Sequence, residues 1–293
     1  MMLHKDKDKF SDMIYRLVNE TGFPAQLLEK DYYLTLVLSK IKDMSSDLIF
    51  KGGTCLNKVY YNYYRLSEDL DFSMKLPEYV TTRGNRRKCI QPIKDNIETY
   101  AEQFGLKIED KDKAGRNVSK QYAYHLIYKS ALRSQEMKIK FEIGLRFNPI
   151  LDTETREVKH KFLHPFTGEP LFDGGSVNCL SLKEIVSEKL RAAAIRQIIA
   201  PRDFYDLDFI VRQGFDLSDK QVLNLFVKKL EEDSGDPDLA KYKINLGRSD
   251  KEIKDMKSRI ENELFDVLTV NERENFDLDT ALKRINKVMG EVI

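Results

Sequence analysis

The stretch Phe50–Met74, FKGGTCLNKVYYNYYRLSEDLDFSM, places a glycine pair and an Asp-x-Asp pair between apolar runs. Residues 48–50 are a short apolar run, which predicts a buried strand ending at the glycines. Residues 70–74 predict a second strand, and residues 54–63 predict a helix between the two. The stretch therefore predicts a strand, a tight turn into a helix, and a return strand that carries two acids.

Asp69 and Asp71 share one face of the second strand because side chains alternate along a strand. Leu70 and Phe72 then lie on the opposite face and can be buried. Two adjacent carboxylates repel each other and favour a divalent cation with oxygen ligands, most simply Mg²⁺. Asp-x-Asp occurs six times in the chain, so the spacing alone equally fits an edge strand with a solvated acidic face.

The glycine pair favours the metal interpretation. Gly52, Gly53 and Thr54 follow a predicted strand and begin a predicted helix. Glycine lets the backbone approach an anion closely, a helix N-terminus offers N–H groups to phosphate oxygens, and the threonine hydroxyl adds a donor. A phosphate site next to metal-binding carboxylates is what nucleotidyl transfer needs. The alternative is a tight strand-to-helix turn without a ligand.

A third acid lies in the alternating stretch MKIKFEIGL, residues 137–145. Glu142 shares a face with Lys138, Lys140 and Gly144, and the apolar residues share the other face. If this strand lies beside the one that carries the Asp-x-Asp pair, Glu142 can be the third carboxylate of a two-metal site. A half-solvated strand explains the pattern equally well.

The C-terminal part contains a lysine on an apolar stripe. The helix that Ser181 caps repeats apolar residues at helical spacing, and Lys189 falls on that stripe. In the following segment PRDFYDLDF, Arg202, Asp203 and Asp206 share a helix face. Either these groups form an internal salt bridge, Lys189 or Arg202 with Asp206, or they form a cationic wall for a triphosphate held in place by the acids.

Composition places broad limits on the chain. It has 293 residues, a net charge of +1, 41% hydrophobic residues and three cysteines, which suits a globular protein with reduced thiols. No apolar stretch is long enough for a signal peptide core or a membrane span, so we expect a cytoplasmic protein without membrane contact. The change in pattern near residue 178 predicts an α/β domain over residues 1–178 and a helical domain over residues 179–293 that completes the active site.

Five motifs in fixed order resemble the AbiEii/AbiGii-type nucleotidyltransferase toxins of abortive-infection and type IV toxin–antitoxin systems. The motifs are EKDYYLTLVL, FKGGTCLNKVY, RLSEDLDF, SEKLRAA and PRDFYDL, between residues 29 and 207. The resemblance implies an α/β (α+β) nucleotidyltransferase-like fold: a mixed sheet with flanking helices and a helical C-terminal part. It implies transfer of a nucleotide from an NTP, with Mg²⁺ and release of pyrophosphate, to an RNA acceptor such as the tRNA 3′ end. It also implies a cognate antitoxin protein.

The resemblance assigns roles to individual residues. Asp69 and Asp71 match the metal-binding pair, and Lys189 and Asp206 match an essential lysine and aspartate. The resemblance assigns nucleotide binding to the following residues: Lys51, Gly52, Gly53, Thr54, Ser67 and Arg202. Glu142 is placed as a third metal ligand from the strand pattern and not from a family motif.

Three further features have both functional and structural interpretations. The tyrosines 60, 61, 63 and 64 can stack a nucleobase, but at least two of them are expected in the core. The basic segment RGNRRK, residues 83–88, together with Lys111, Lys113, Arg116 and Lys120, can bind an RNA backbone or form solvated loops. His160 and His164 are four residues apart, but no Cys or acid at suitable spacing completes a zinc site.

Two other functions fit the same residues. A nucleotidyltransferase that modifies a small molecule or a protein would use the same metal site. A non-catalytic module that sequesters nucleotide or RNA would not need the nearly complete set of acids.

Overall fold

A computed structural model describes residues 2–291 of the chain. The chain divides into two compact units, Met1–Leu180 and Ser181–Ile293. The first unit contains a mixed eight-stranded sheet with helices, and the second contains helices without a strand among its described residues.

The strands all lie in the first unit. They are β1 (Leu48–Lys51), β2 (Asp69–Met74), β3 (Lys107–Glu109), β4 (Gly115–Arg116), β5 (Gln121–Lys129), β6 (Glu136–Gly144), β7 (Glu154–Glu157) and β8 (Ser176–Cys179). The order in the sheet is β3-β5-β6-β2-β1-β8-β7, with β4 paired to β5. β2 and β6 are parallel, as are β1 and β8, whereas the other pairs are antiparallel. The predicted mixed sheet is therefore confirmed.

Helices flank the sheet in the first unit and continue through the second. In the first unit they are α1 (Lys7–Thr21), α2 (Ala25–Ser39), α3 (Ile41–Met44), α4 (Gly52–Cys55) and α5 (Arg83–Glu102). In the second unit they are α6 (Leu182–Ile195), α7 (Pro201–Arg212), α8 (Lys220–Glu232), α9 (Asp250–Ser258), α10 (Ile260–Glu263), α11 (Val270–Asn275) and α12 (Leu278–Gly290). The helical C-terminal part is confirmed. Within residues 2–291, no helix is both long and apolar enough to cross a bilayer.

The apolar face of β2 lies in the core of the sheet. Leu70 and Phe72 are fully buried, as the alternation predicts. The Phe72 ring lies 5.3 Å from the ring of Phe50 on β1 and 5.0 Å from that of Phe141 on β6. Burial of such side chains contributes about 1.5–3 kcal/mol each. The aromatic row therefore fixes β2 between its two neighbours and turns Asp69 and Asp71 to the other face.

The helix predicted over residues 54–63 is wrong in its last three residues, because the helical chain ends at Tyr60. α4 is one turn long and continues as a π-helix over Leu56–Tyr60, closed by a hydrogen bond of 2.8 Å from Tyr61 N to Leu56 O. Asn62 and Tyr63 then adopt left-handed φ angles of 41° and 68°. Non-glycine residues take this conformation only when surrounding contacts impose it, so the helical spacing of the apolar residues did not reveal the break.

Glycine and serine caps bound two of the helices. Gly22 ends α1 with a φ of 72°, and its N–H donates to Val18 O. Ser181 caps α6, its hydroxyl accepting from the N–H of Glu184. In the second unit, α6 and α8 are joined where Ser187 Oγ donates to Val222 O at 3.0 Å.

Candidate active site

The glycine turn after β1 touches the acidic strand β2. Gly52 has a φ of +76°, and a Cβ atom placed on it would lie 2.7 Å from Asp71 Oδ2. A side chain at position 52 would therefore be strained and would also collide with the carboxylate. The sequence needs glycine here because the turn and the acid are in van der Waals contact.

Gly53 is covered by two polar side chains. A Cβ atom on Gly53 would lie 2.7 Å from Arg65 Nη2 and 3.2 Å from Ser67 Oγ. Arg65 is only 2% exposed, and its Nη1 donates to Leu66 O at 2.8 Å. The turn is therefore bordered by a guanidinium, a hydroxyl and a carboxylate, which suits a polar ligand.

Thr54 fastens this turn to β2. Its hydroxyl donates to the backbone carbonyl of Asp69 at 2.5 Å, and the side chain is buried. The hydroxyl is thus engaged with the strand that carries the acids. Its contact with a phosphate stays a prediction.

The two aspartates and Glu142 lie on one face of the sheet. Asp71 is the register partner of Lys51 on β1 and of Glu142 on β6. Burial, followed by the charges of Glu142 and Asp69, raises the pKa of Asp71 to about 6. β6 lies beside β2, which is the condition for Glu142 to be the third acid of the site. Its role as a metal ligand stays a prediction.

Glu142 has two partners that sequence reasoning missed. Gln121 on β5 donates its side-chain N–H to Glu142 Oε1, and the Lys140 ammonium pairs with Oε2. Burial lowers the pKa of Lys140, but the hydrogen bond and charge of Glu142 outweigh it, so the pKa is raised. Lys140 and Glu142 lie on the same strand face in the alternating pattern, so the pattern could have indicated this ion pair. Nothing local in the sequence indicates Gln121.

The acid pair suits Mg²⁺ better than a metal held by protein ligands alone. Across residues 2–291, no three His, Cys, Asp or Glu side chains are arranged to hold a metal ion by themselves. Mg²⁺ usually keeps waters and binds one or two carboxylates together with substrate phosphates. Asp69 and Asp71 next to the glycine turn match that donor set, and the charges of Glu142 and Asp69 add to the effect of burial in raising the pKa of Asp71.

A buried ion pair holds the segment between the glycine turn and β2. The Lys58 ammonium is fully buried and lies 2.7 Å from Asp31 Oδ1 on α2, 2.8 Å from Thr35 Oγ1 and 2.8 Å from Tyr63 Oη. Tyr63 in turn donates to Asp31 Oδ2 at 2.5 Å. All three ammonium donors are used, which secures the left-handed residue Tyr63 and thereby the path of the chain toward Arg65.

The second unit brings Lys189 together with the acids of α7. Its ammonium lies 2.8 Å from Asp203 Oδ1 and 2.7 Å from Asp206 Oδ2, and Arg196 lies 2.9 Å from Asp203 Oδ2. Asp206 is fully buried. Of the two salt bridges considered for Asp206, the one with Lys189 is present, while Arg202 donates from Nε to Glu263 O at 2.5 Å.

Two of the tyrosines and His160 make structural contacts. Tyr63 and Tyr64 are buried, which confirms that at least two of the four tyrosines belong to the core. His160 stacks on Phe172 and lies 2.8 Å from its carbonyl oxygen. Cys55, Cys89 and Cys179 are free thiols.

The mixed sheet carries paired aspartates next to a glycine turn, which is the arrangement that nucleotidyl transfer needs. A family model described as "Nucleotidyl transferase AbiEii toxin, Type IV TA system" matches residues 38–284, so the chain belongs to this family of toxins. None of the curated proteins matches the sequence significantly.

Solved structures share the fold at low sequence identity. MenT4, a nucleotidyltransferase toxin from Mycobacterium tuberculosis H37Rv, has a TM-score of 0.58 at 16% identity, covering 96% of this chain and 98% of its own. JHP933 from Helicobacter pylori has a TM-score of 0.52 at 17% identity, covering 92% of this chain and 93% of its own. A putative nucleotidyltransferase from H. pylori has the same TM-score and identity, covering 92% and 96%.

Proposed function

We propose that this toxin transfers a nucleotide from an NTP to an RNA acceptor, which we expect to be the 3′ end of tRNA. The observation that supports this most is the contact of the glycine turn with the acid pair, where a Cβ on Gly52 would meet Asp71 Oδ2 at 2.7 Å. A triphosphate needs both a backbone that it can approach closely and carboxylates that hold its cation.

Asp69 and Asp71 are the residues we propose to hold Mg²⁺, with Glu142 as the third acid. When bound, Mg²⁺ would neutralise phosphate charge and lower the pKa of the attacking hydroxyl. The chain's own contribution is positioning. We propose that Gly52, Gly53 and Ser67 receive the phosphates.

The flanking nucleotide-binding roles are proposed for Lys51, Thr54 and Arg202. Lys51 ends β1 next to the glycine turn and is the register partner of Asp71, so its charge offsets that of the acid pair. Arg202 is engaged with Glu263 O within the second unit, so its nucleotide contact rests on the motif alone.

Lys189 and Asp206 are proposed as catalytic residues of the helical unit. An ammonium held between two buried carboxylates has a fixed position, which suits a group that acts on phosphate oxygens. The proposal rests on their match to the family motifs and on this ion cluster.

The partners follow from the family. A type IV toxin implies a cognate antitoxin protein, and we propose that the unopposed enzyme inhibits growth by modifying RNA.

One incubation tests the proposed substrate class. The purified protein is mixed with Mg²⁺ and each labelled NTP in turn, and with total tRNA, total protein or small-molecule extracts as acceptors. Label in tRNA with release of pyrophosphate is expected. Label only in protein or in small molecules would favour the alternative acceptors, and no transfer with any NTP would contradict the proposal.

A further inference from the structure

Two long stretches of this nearly neutral chain contain no acid. Residues 79–94 hold five Lys and Arg residues without an Asp or Glu, and residues 113–135 hold five more, again without one. The net charge of the whole chain is only +1. The two segments together carry ten positive charges and no negative charge, so both are strongly basic within a nearly neutral chain.

A buried arginine joins the two stretches. Arg86 on α5 is only 8% exposed, and its Nη1 donates to Thr81 O at 2.8 Å in the first stretch. Its Nη2 donates to Val118 O at 3.4 Å in the second. The start of α5 and the segment after β4 thus form one continuous surface.

That surface contains an unusual backbone turn. Asn117, Val118 and Ser119 all have left-handed φ angles, of 49°, 55° and 60°. A β-branched residue is rarely found there, and Val118 is also 63% exposed, so no burial of its side chain explains the conformation. Residues held in such conformations cluster at active sites, ligand clamps and switch regions.

The turn is connected by hydrogen bonds to the candidate active site. Asn117 Nδ2 donates to Gln121 Oε1 at 2.9 Å, and Gln121 donates to Glu142. Arg116 on β4 is the register partner of Gln121, which places it on the same face of the sheet as Glu142 and Asp71. The turn at residues 117–119 therefore lies next to the sheet face that carries Glu142 and Asp71.

Four exposed cations surround the turn, and we call them the basic rim: Arg83, Arg87, Arg116 and Lys120. Among residues 2–291, none of the four has a carboxylate partner, whereas nearby Lys111 and Lys138 are paired with Glu98 and Glu109. Unpaired cations on one surface raise the local positive potential and attract a polyanion.

We propose that the basic rim binds the phosphate backbone of the acceptor RNA and directs its end toward Asp69 and Asp71. This inference rests on the proposed RNA acceptor. The rim is exposed and extends along a turn and a helix, so it suits a chain of regularly spaced phosphates. Lys and Arg contacts of this kind supply affinity without sequence preference.

Charge-neutralising variants test the rim. The rim variants are Arg83→Gln/Arg87→Gln and Arg116→Gln/Lys120→Gln. The control is Lys129→Gln/Arg133→Gln, which removes the same charge from exposed residues of the same acid-free stretch. Lys129 lies at the other end of β5, about 26 Å from Gln121 at about 3.3 Å per residue. Surface positions make loss of folding improbable, and thermal unfolding checks this.

The first measurement is the binding of fluorescently labelled total tRNA over a range of salt concentrations. We expect each rim pair to raise Kd about tenfold at moderate salt and to lower the slope of log K against log salt by about 1.5. The control should match the wild type. Unchanged slopes in both rim variants, an equal loss in the control, or no tRNA binding by the wild type would overturn the proposal.

The second measurement separates this inference from the proposed function. In transfer assays, the rim variants should raise the KM for tRNA while kcat and the KM for NTP stay unchanged, which is the result of removing uniform binding. If the wild type binds tRNA through the rim but transfers nothing to it, the rim stands and the proposed reaction fails. If transfer occurs with the same KM for tRNA in the wild type and both rim variants, the reaction stands and the rim is overturned.

Discussion

Asp71 on β2 and Glu142 on β6 are register partners on adjacent parallel strands, and both belong to the acid-bearing face of the sheet. Their mutual repulsion adds to the effect of burial on Asp71, whose pKa is raised to about 6. The charged form of Asp71 is therefore unfavourable in the metal-free protein and becomes favourable when a cation binds.

Asp71→Asn should stabilise the metal-free protein at neutral pH. The pKa of Asp71 is about 6 in the folded state and near 3.8 without the fold, so the folded state binds the proton more tightly. Stability therefore falls as the pH rises from about 4 to about 6 and stays low above it. Removing the charge should recover about 1–3 kcal/mol at pH 7.5, measured by chemical unfolding in EDTA.

The gain should shrink at pH 4.5, and Mg²⁺ should stabilise the wild type but not the variant. Asp152→Asn, at an exposed position, is the control and should change neither property. A variant less stable than the wild type at pH 7.5 in EDTA would contradict the electrostatic explanation.

Gly52→Ala should abolish transfer through collision with Asp71. Gly168 is a matched control, because its φ of +72° is similar to the +76° of Gly52 but no atom lies within 4 Å of an added Cβ. Both alanine variants should lose about 1–2 kcal/mol from backbone strain. Only Gly52→Ala should also lose activity, measured as initial transfer rates and melting temperature. Equal activity of the two variants would show that the close approach at Gly52 is dispensable.

Lys189→Met should destabilise the helical unit because the buried carboxylates of Asp203 and Asp206 lose the Lys189 ammonium, while Asp203 keeps its pair with Arg196. The expected cost is about 3–5 kcal/mol, and Asp206→Asn in the same chain should recover part of it without recovering transfer. Lys183→Met on the same helix is the control: its pair with Asp219 is 2.8 Å long but half exposed, so its loss should cost no more than about 1 kcal/mol. Urea unfolding and transfer assays measure both effects. Full activity in a folded Lys189→Met variant would remove Lys189 from the catalytic residues.

Lys58→Met should unfold the segment between the glycine turn and β2. It leaves Asp31 buried without its cation, at an expected cost of about 3–5 kcal/mol. Lys58→Met/Asp31→Leu removes both charges and should recover most of the stability. The free energies of unfolding of the single and double variants test this expected recovery. A double variant that is less stable than Lys58→Met would contradict the electrostatic cost assigned to Asp31.

Much of the sheet was predictable because its signals are local. The strands at residues 48–51, 69–74 and 136–144 follow apolar runs or strict alternation, and each end lies within one residue of the predicted end. The pairing of β8 with β1, which adds the other edge of the sheet, joins Cys179 to Phe50 across more than a hundred residues. No local pattern encodes such a contact.

The site was predictable only where backbone geometry determines side-chain position. Asp69 and Asp71 share a face because a strand alternates, and the sequence gives no measure of how close Gly52 comes to them. Helical spacing suggested that Arg202 or Lys189 pairs with Asp206. The pair with Lys189 depends on the packing of α6 against α7, which spacing within one helix does not describe.

The central claim is that the acid pair on β2 is the catalytic centre of nucleotide transfer to RNA. The most direct measurement compares the wild type, Asp69→Asn and the control Asp152→Asn for Mg²⁺-dependent transfer of labelled nucleotide to total tRNA. We expect equal labelling by the wild type and the control, and at least about a thousandfold less by Asp69→Asn, equivalent to about 4 kcal/mol of transition-state stabilisation. Labelling by Asp69→Asn at the wild-type rate, in a folded protein, would contradict the account.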